Sequence, residues 1–309
     1  VYLKHGSYYY VKNNKWQRLG NDLHTALKAY ASIVAVPSEG VPALIDKALP
    51  HITAKVAKST KAQYEYAAGL LKETFAEFTP DQVTHGSIIQ MLDMWQDKPA
   101  TANRLLTVLK GVYQWALDRE MVDRNPCVSV KRRPQSKRDR LITKAEYRLL
   151  YAAVPDWMQV VMDLCYLTGQ RIGDVLKIEY AHLNGDGIFF EQQKTGKRLT
   201  VQWTPELRDV VARAKQTKNT VRSAKYLISG RAGTMRAHPN VWRTFKTAAR
   251  SVGLVDVTLH DLRAMSGTYA EIEGKDPTAL LGHTDRRTTQ SYLRDKTVRV
   301  VSGPSKKAG

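Results

Sequence analysis

Cysteine is nearly absent from this 309-residue chain, and the two present, Cys127 and Cys165, form no CxxC pair and no metal-ligand spacing. That excludes a disulfide framework and a zinc knuckle, and suits a reducing compartment. No apolar run approaches the ~18 residues that suggest a membrane span, and the first residues show no signal-peptide pattern, so no membrane partner is expected. The phosphate-loop pattern GxxxxGK[ST], the zinc motif HExxH and a nuclease-type acidic cluster are all missing. Any chemistry here is therefore expected to need no cofactor, neither nucleotide nor metal.

Acid is also scarce. Against 29 Asp and Glu stand 48 Lys and Arg, a formal charge of +19, while 43% hydrophobic residues suffice for real cores. Such a surplus calls for a polyanion, and nucleic acid is the leading partner. The charge is uneven. Residues 41–130 are neutral, whereas the ten residues from Lys131 to Arg140 (KRRPQSKRDR) carry six bases and one acid. Polar, broken by Pro134 and without apolar periodicity, that stretch reads as a linker. It is either a solvated connector or, through Lys131, Arg132, Arg133, Lys137, Arg138 and Arg140, a strap along DNA phosphates.

Periodicity supplies a coarse architecture of several domains. Residues 1–40 read as a small ββα module: a hairpin through Tyr8–Val11 and Trp16–Leu19 turns at Asn13-Asn14, and Asn21 caps a helix bearing Leu23, Ala26, Leu27 and Tyr30. Lys12, Lys15 and Arg18 could reach phosphates from such a ribbon; alternatively, its aromatics merely form a small core. Residues 41–130 read as an all-α domain, with helices after Ser59-Thr60, Gly86-Ser87 and Thr101. Residues 141–309 read as mixed and mainly α. A capping box at Thr143–Glu146 starts one helix, Thr168-Gly169 ends another, and residues 187–203 form a hairpin turning at Lys194–Lys197.

An enzyme that breaks phosphodiesters without metal must neutralise phosphate with Arg or Lys and draw its nucleophile from a side chain. The last segment offers such a set. Thr168-Gly169-Gln170-Arg171-Ile172-Gly173-Asp174-Val175-Leu176 resembles the first arginine box of the tyrosine recombinases, the lambda-integrase family. Leu259-His260-Asp261-Leu262-Arg263 resembles its H-x-x-R box, and Leu281-Gly282-His283-Thr284, followed by Tyr292, its final box. Lys194 matches the family's hairpin lysine, with Lys197 on the same turn as the competing candidate. Each box alone is weak; together, in order, they cover residues 141–309.

The resemblance implies roles. Tyr292 would attack phosphorus to give a 3′-phosphotyrosyl DNA, and Arg171 and Arg263 would clamp the non-bridging oxygens. Lys194 would protonate the leaving 5′-oxygen, His260 would accept the tyrosine proton or bond the phosphate, and His283 would donate to a phosphate oxygen. Asp174, where many relatives carry Glu, would orient one of these groups. It further implies an integrase of a prophage or genomic island, integrating and excising DNA through a Holliday junction. Residues 1–40 would bind arm-type sites and residues 41–130 core-type sites. The partners would be double-stranded DNA, a homotetramer, and host DNA-bending and excision factors in a bacterial cytoplasm, at the nucleoid. Residues after Tyr292, including Val298–Val301, would pack on a neighbouring protomer. A type IB topoisomerase-like nicking and religating enzyme, and a DNA-binding regulator with a vestigial site, are the alternatives.

Overall fold

The computed structural model describes residues 1–12, 15–34, 40–136, 138–216, 225–230 and 232–293. Lys137, the Asn13-Asn14 turn and the segment Val298–Val301 thus lie outside the described residues. The chain divides into two compact units, Val1–Ser136 and Lys137–Gly309. Both are mainly helical with small antiparallel sheets.

The first unit opens with strands β1 (Tyr2–Lys4), β2 (Ser7–Lys12) and β3 (Lys15–Gly20), in that spatial order. The hairpin expected from the alternating aromatics is β2–β3, with Lys12 opposite Lys15. The third strand, β1, pairs Tyr2 with Tyr9; three residues are too few to display an alternation. Helix α1 (Leu23–Val34) follows. Its first turn is capped by Asp22, whose Oδ1 accepts the Thr25 N–H at 2.9 Å. Asn21, the cap expected from sequence, instead accepts from the Ser7 hydroxyl at 2.9 Å and from the Arg18 guanidinium. It staples the hairpin rather than starting the helix.

Helices α2 (Val41–Thr53), α3 (Lys58–Thr74), α4 (His85–Met94) and α5 (Pro99–Leu117) build the rest of this unit. Helix α5 is central because Leu105, Leu109, Val112, Tyr113 and Ala116 recur at helical spacing and are all buried. Fully burying each such leucine stabilises by roughly 1.5–3 kcal/mol. Cys127 is sealed into the same core, and burial pushes its thiol up to about 12.

The second unit is arranged on α7 (Asp156–Thr168), after α6 (Lys144–Ala152). The Thr143–Glu146 capping box forms as read from sequence. Helix α7 is buried along Met158, Val161, Met162, Leu164 and Cys165, the last a thiol pushed up to about 12 by burial. It ends at Gly169, whose φ of 65° suits glycine. Then come α8 (Ile172–Val175), the hairpin β4 (Gly187–Glu191) and β5 (Arg198–Gln202), and α9 (Pro205–Gln216). Helices α10 (His238–Ser251), α11 (Leu259–Ile272), α12 (Pro277–Leu281) and α13 (Arg286–Gln290) complete the described fold. Helices α9 and α11 pack on α7, so the core holds α11, which carries two of the sequence-predicted site residues, against the glycine that ends α7. Among the described residues, no helix is long and apolar enough to cross a membrane.

Candidate active site

Three chain breaks converge in the second unit. Gly169 ends α7, Gly282 ends α12 with φ 65°, and Arg171 sits just before α8. The two helix C-termini expose backbone carbonyls that a neighbouring cation can use. Arg263, on α11, uses two of them. Its Nη1 donates to Gly169 O at 2.5 Å, and its Nη2 to Leu281 O at 2.6 Å. Arg263 is 1% exposed, and burial, reinforced by repulsion from Arg171, pushes its guanidinium down to about 10. It remains a cation at neutral pH. Among the described residues its Nε has no hydrogen-bond partner.

His283 is held beside it. Arg263 Nη2 lies 2.9 Å from His283 Nε2, and a guanidinium can only donate, so Nε2 accepts. The ring proton then belongs on Nδ1, which donates to Thr289 Oγ1 at 3.0 Å. Burial, followed by repulsion from Arg263, Arg171 and Lys197, pushes this imidazole down to about 4. To donate to a phosphate oxygen, as the sequence suggested, Nε2 must part from Arg263 and carry the proton.

Tyr292 lies just past α13, its backbone N–H donating to Thr289 O at 2.8 Å. Its ring centroid is 4.9 Å from that of His283 and 5.1 Å from that of His260, and the Arg263 guanidinium carbon lies 5.2 Å from it. The structure thus brings three sequence-predicted residues, His260, Arg263 and His283, around the ring of a fourth, Tyr292. Arg171 is held by the hairpin: its Nη1 donates to Gln192 Oε1 at 3.0 Å and lies 4.0 Å from Asp174 Oδ2. Asp174 is buried; its Oδ1 accepts from Gln193 N–H at 3.1 Å, bracing the hairpin turn, and among the described residues its Oδ2 has no hydrogen-bond partner. Lys194 is exposed on the hairpin turn, whereas Lys197 Nζ donates to His283 O at 3.0 Å. Sequence reasoning missed Gln170 and Gln192, both fully buried at the centre of this arrangement. Gln170 stands inside the first arginine box and Gln192 in the hairpin, and no local signal marks either as buried.

The basic residues singled out for DNA sort unevenly. Lys15 and Lys131 are exposed, and Lys12 closes β2. Arg18 is exposed and bound to Asn21. Arg132 donates to Thr107 Oγ1 at 3.2 Å, and Arg133 pairs with Asp93. Arg138 forks onto Asp261 at 2.8 and 2.7 Å. Arg140 pairs with Glu146 at 2.6 Å and Asp256 at 2.9 Å, holding the Glu146 carboxyl down to about 2. Three arginines of the basic stretch are therefore engaged by carboxylates of their own unit, a use the local sequence did not disclose. Among the described residues, no group of three or more His, Cys, Asp or Glu is placed to hold a metal.

Residues 140–299 match the family pattern described as the phage integrase family. The chain is 27% identical over 233 residues to the integrase of Enterobacteria phage 434, and 26% identical over 233 residues to that of Escherichia phage lambda. Each alignment takes in 70% of this chain and 65% of the relative, so the chain spans less than two thirds of the length of these relatives. In structure it resembles a lambda integrase in a tetramer bound to a Holliday junction, with a TM-score of 0.79 at 20% identity, covering 97% of each chain. It also resembles the Tn1549 transposon integrase in complex with circular intermediate DNA, with a TM-score of 0.69 at 15% identity, covering 84% of this chain and 96% of that one.

Proposed function

This chain belongs to the phage integrase family, and on that footing we propose that it is a site-specific DNA recombinase that cuts and rejoins attachment-site DNA through Tyr292. The observation that carries the reading is the enclosure of the Tyr292 ring by His260, His283 and Arg263. A solitary surface tyrosine has no need of two imidazoles and a buried guanidinium.

The chemistry follows from those positions. Arg263, fixed by two carbonyls, and Arg171 present guanidinium forks to the non-bridging oxygens, where charge grows in the five-coordinate transition state. The Tyr292 oxygen forms a bond to phosphorus as the bond to the 5′-oxygen breaks. The tyrosine proton passes to His260, and the 5′-oxygen takes a proton from Lys194 on its exposed turn. Resealing runs the same steps backwards with a 5′-hydroxyl from a second duplex. The energy of the broken ester stays in the tyrosyl phosphate, so neither nucleotide nor metal is required.

The substrate is double-stranded DNA. The exposed Lys15 and Arg18 beside Tyr9 and Trp16 in the small sheet suit an arm-type site, and residues 41–130 a core-type site. A homotetramer would hold two duplexes, with host bending and excision factors at the nucleoid of a bacterial cell. The test is a nicked suicide duplex made from the DNA flanking the gene. A covalent protein–DNA adduct that disappears in Tyr292→Phe supports the enzyme, and its absence from the unaltered protein overturns it. Strand transfer between two such duplexes separates a recombinase from a nicking and religating topoisomerase.

A further inference from the structure

We propose that Gln192 is a positioning residue that holds Arg171, the Lys194 turn and the Leu281–His283 segment in one register. It stands where the hairpin meets the two arginine boxes, and its side chain is 0% exposed. The amide nitrogen donates to Gln170 Oε1 at 2.7 Å and to Leu281 O at 2.9 Å. The amide oxygen accepts from Arg171 Nη1 at 3.0 Å and from Thr195 Oγ1 at 2.9 Å. Two donated and two accepted bonds are the full capacity of a primary amide.

Its orientation is fixed by its partners. A flipped amide would aim its nitrogen at the guanidinium and its oxygen at a carbonyl, setting like against like on both sides. Gln170 is locked in the same sense, because its nitrogen already donates to Thr168 O at 3.0 Å and Leu280 O at 2.8 Å. Gly282 makes the approach possible: a Cβ there would lie 2.5 Å from Gln192 Nε2. The backbone of Gln192 also closes the turn, accepting from Gly196 N–H at 2.7 Å.

The consequence is a continuous line between the two clamps. Leu281 O accepts from both Gln192 and Arg263, so the line runs from Arg171 through Gln192 and Leu281 O to Arg263 and on to His283. Arg171 needs such a tether, because its carboxylate neighbour, Asp174, lies at 4.0 Å. Two forks that share one phosphate must keep their separation within a fraction of an ångström, and a misplacement of about 1 Å can cost about 10²-fold in rate. Through Thr195 the same amide steadies the turn that carries Lys194.

This inference rests on reading the site as a phosphoryl-transfer centre, and the experiment separates the two. Single-turnover cleavage and affinity are measured on the nicked flanking-DNA duplex with the full chain, alongside Tyr292→Phe. The variants are Gln192→Met, which keeps the volume and removes all four bonds, and Gln192→Glu, which keeps the two accepted ones. Cleavage by Gln192→Met is expected to fall by about 10²-fold with affinity changed by less than about 3-fold, and Gln192→Glu, which sets an oxygen against Gln170 Oε1 and Leu281 O, to fall as well. A duplex with sulfur in place of the bridging 5′-oxygen supplies a leaving group that needs no acid. It is expected to recover the part of the loss due to Lys194 and to leave the part due to Arg171. Cleavage within about 3-fold of wild type in both variants overturns the proposal, as does a loss confined to affinity. Should Gln192→Met fail to fold, Gln192→Glu decides alone on the same limits. If the unaltered protein forms no adduct, the phosphoryl-transfer reading fails and takes this inference with it.

Discussion

The ion pair between Arg138 and Asp261 gives a quantitative test of how α11, the helix that carries His260 and Arg263, is held. Asp261 is 0% exposed and accepts four hydrogen bonds, two from Arg138 and two from the backbone and hydroxyl of Thr258 at 2.8 and 2.9 Å. Hydrogen bonds to charged groups are worth about 1.5–3 kcal/mol each. Arg138, however, is 41% exposed, so water replaces much of what it supplies. The coupling energy expected from a double-mutant cycle of Arg138→Ala and Asp261→Ala is therefore about 1.5 kcal/mol. Asp261→Ala also removes the capping box at Thr258, worth about 1 kcal/mol, but the cycle subtracts that. Opening free energies of the Leu262 and Arg263 amides, read by native-state hydrogen exchange, report on this turn directly. A coupling below about 0.5 kcal/mol would refute the reasoning. It would mean that Arg138 is free for phosphates and that α11 is held by its core alone.

Three further outcomes follow from geometry. A Cβ on Gly187 would lie 1.9 Å from Val201 O, so Gly187→Ala should break the β4–β5 pairing and destabilise the unit by about 1–3 kcal/mol; unchanged urea melting would contradict this. Lys194→Ala should lower cleavage of the nicked duplex by about 10²–10⁴-fold, with recovery on the 5′-sulfur duplex, while Lys197→Ala should show no such recovery. The reverse pattern would transfer the acid role to Lys197. His283 is held down to about 4 in the fold, against about 6.5 in an unfolded chain. Between those values the unfolded state binds more protons, so stability falls as pH drops through 6.5 towards 4, and above 6.5 this histidine leaves stability unchanged. Thermal melts across that range should decline more steeply for the wild type than for His283→Asn, and parallel curves would contradict the assignment.

What could be read from sequence was what short-range geometry encodes. Thr143 and Glu146 are three residues apart, so their mutual capping is a local decision. Gly169 and Gly196 mark left-handed positions, with φ 65° and 66°, that few other residues tolerate. The boxes around Arg171, Arg263, His283 and Tyr292 were legible because their residue types and order are distinctive, and the fold does bring them together. The rest depends on partners far along the chain. Gln192 is defined by Leu281, 89 residues away, and Arg138 by Asp261, 123 residues away, and no local pattern marks either. The choice of Asp22 over Asn21 as helix cap was missed for the same reason, because Ser7 and Arg18 had already claimed Asn21. The six bases between Lys131 and Arg140 read as a solvated connector or a strap along phosphates, yet three of their arginines answer to carboxylates.

The scarcity of cysteine has a practical use. Cys127 lies in the core of the first unit and Cys165 in the core of the second, 0% and 1% exposed, with both thiols pushed up to about 12. Neither reacts as a thiolate while its own core is closed. Each unit therefore contains one chemical clock. In Cys127→Ala the remaining thiol times the opening of the second unit, and in Cys165→Ala that of the first unit. Alkylation with and without DNA would then show which unit the duplex stabilises.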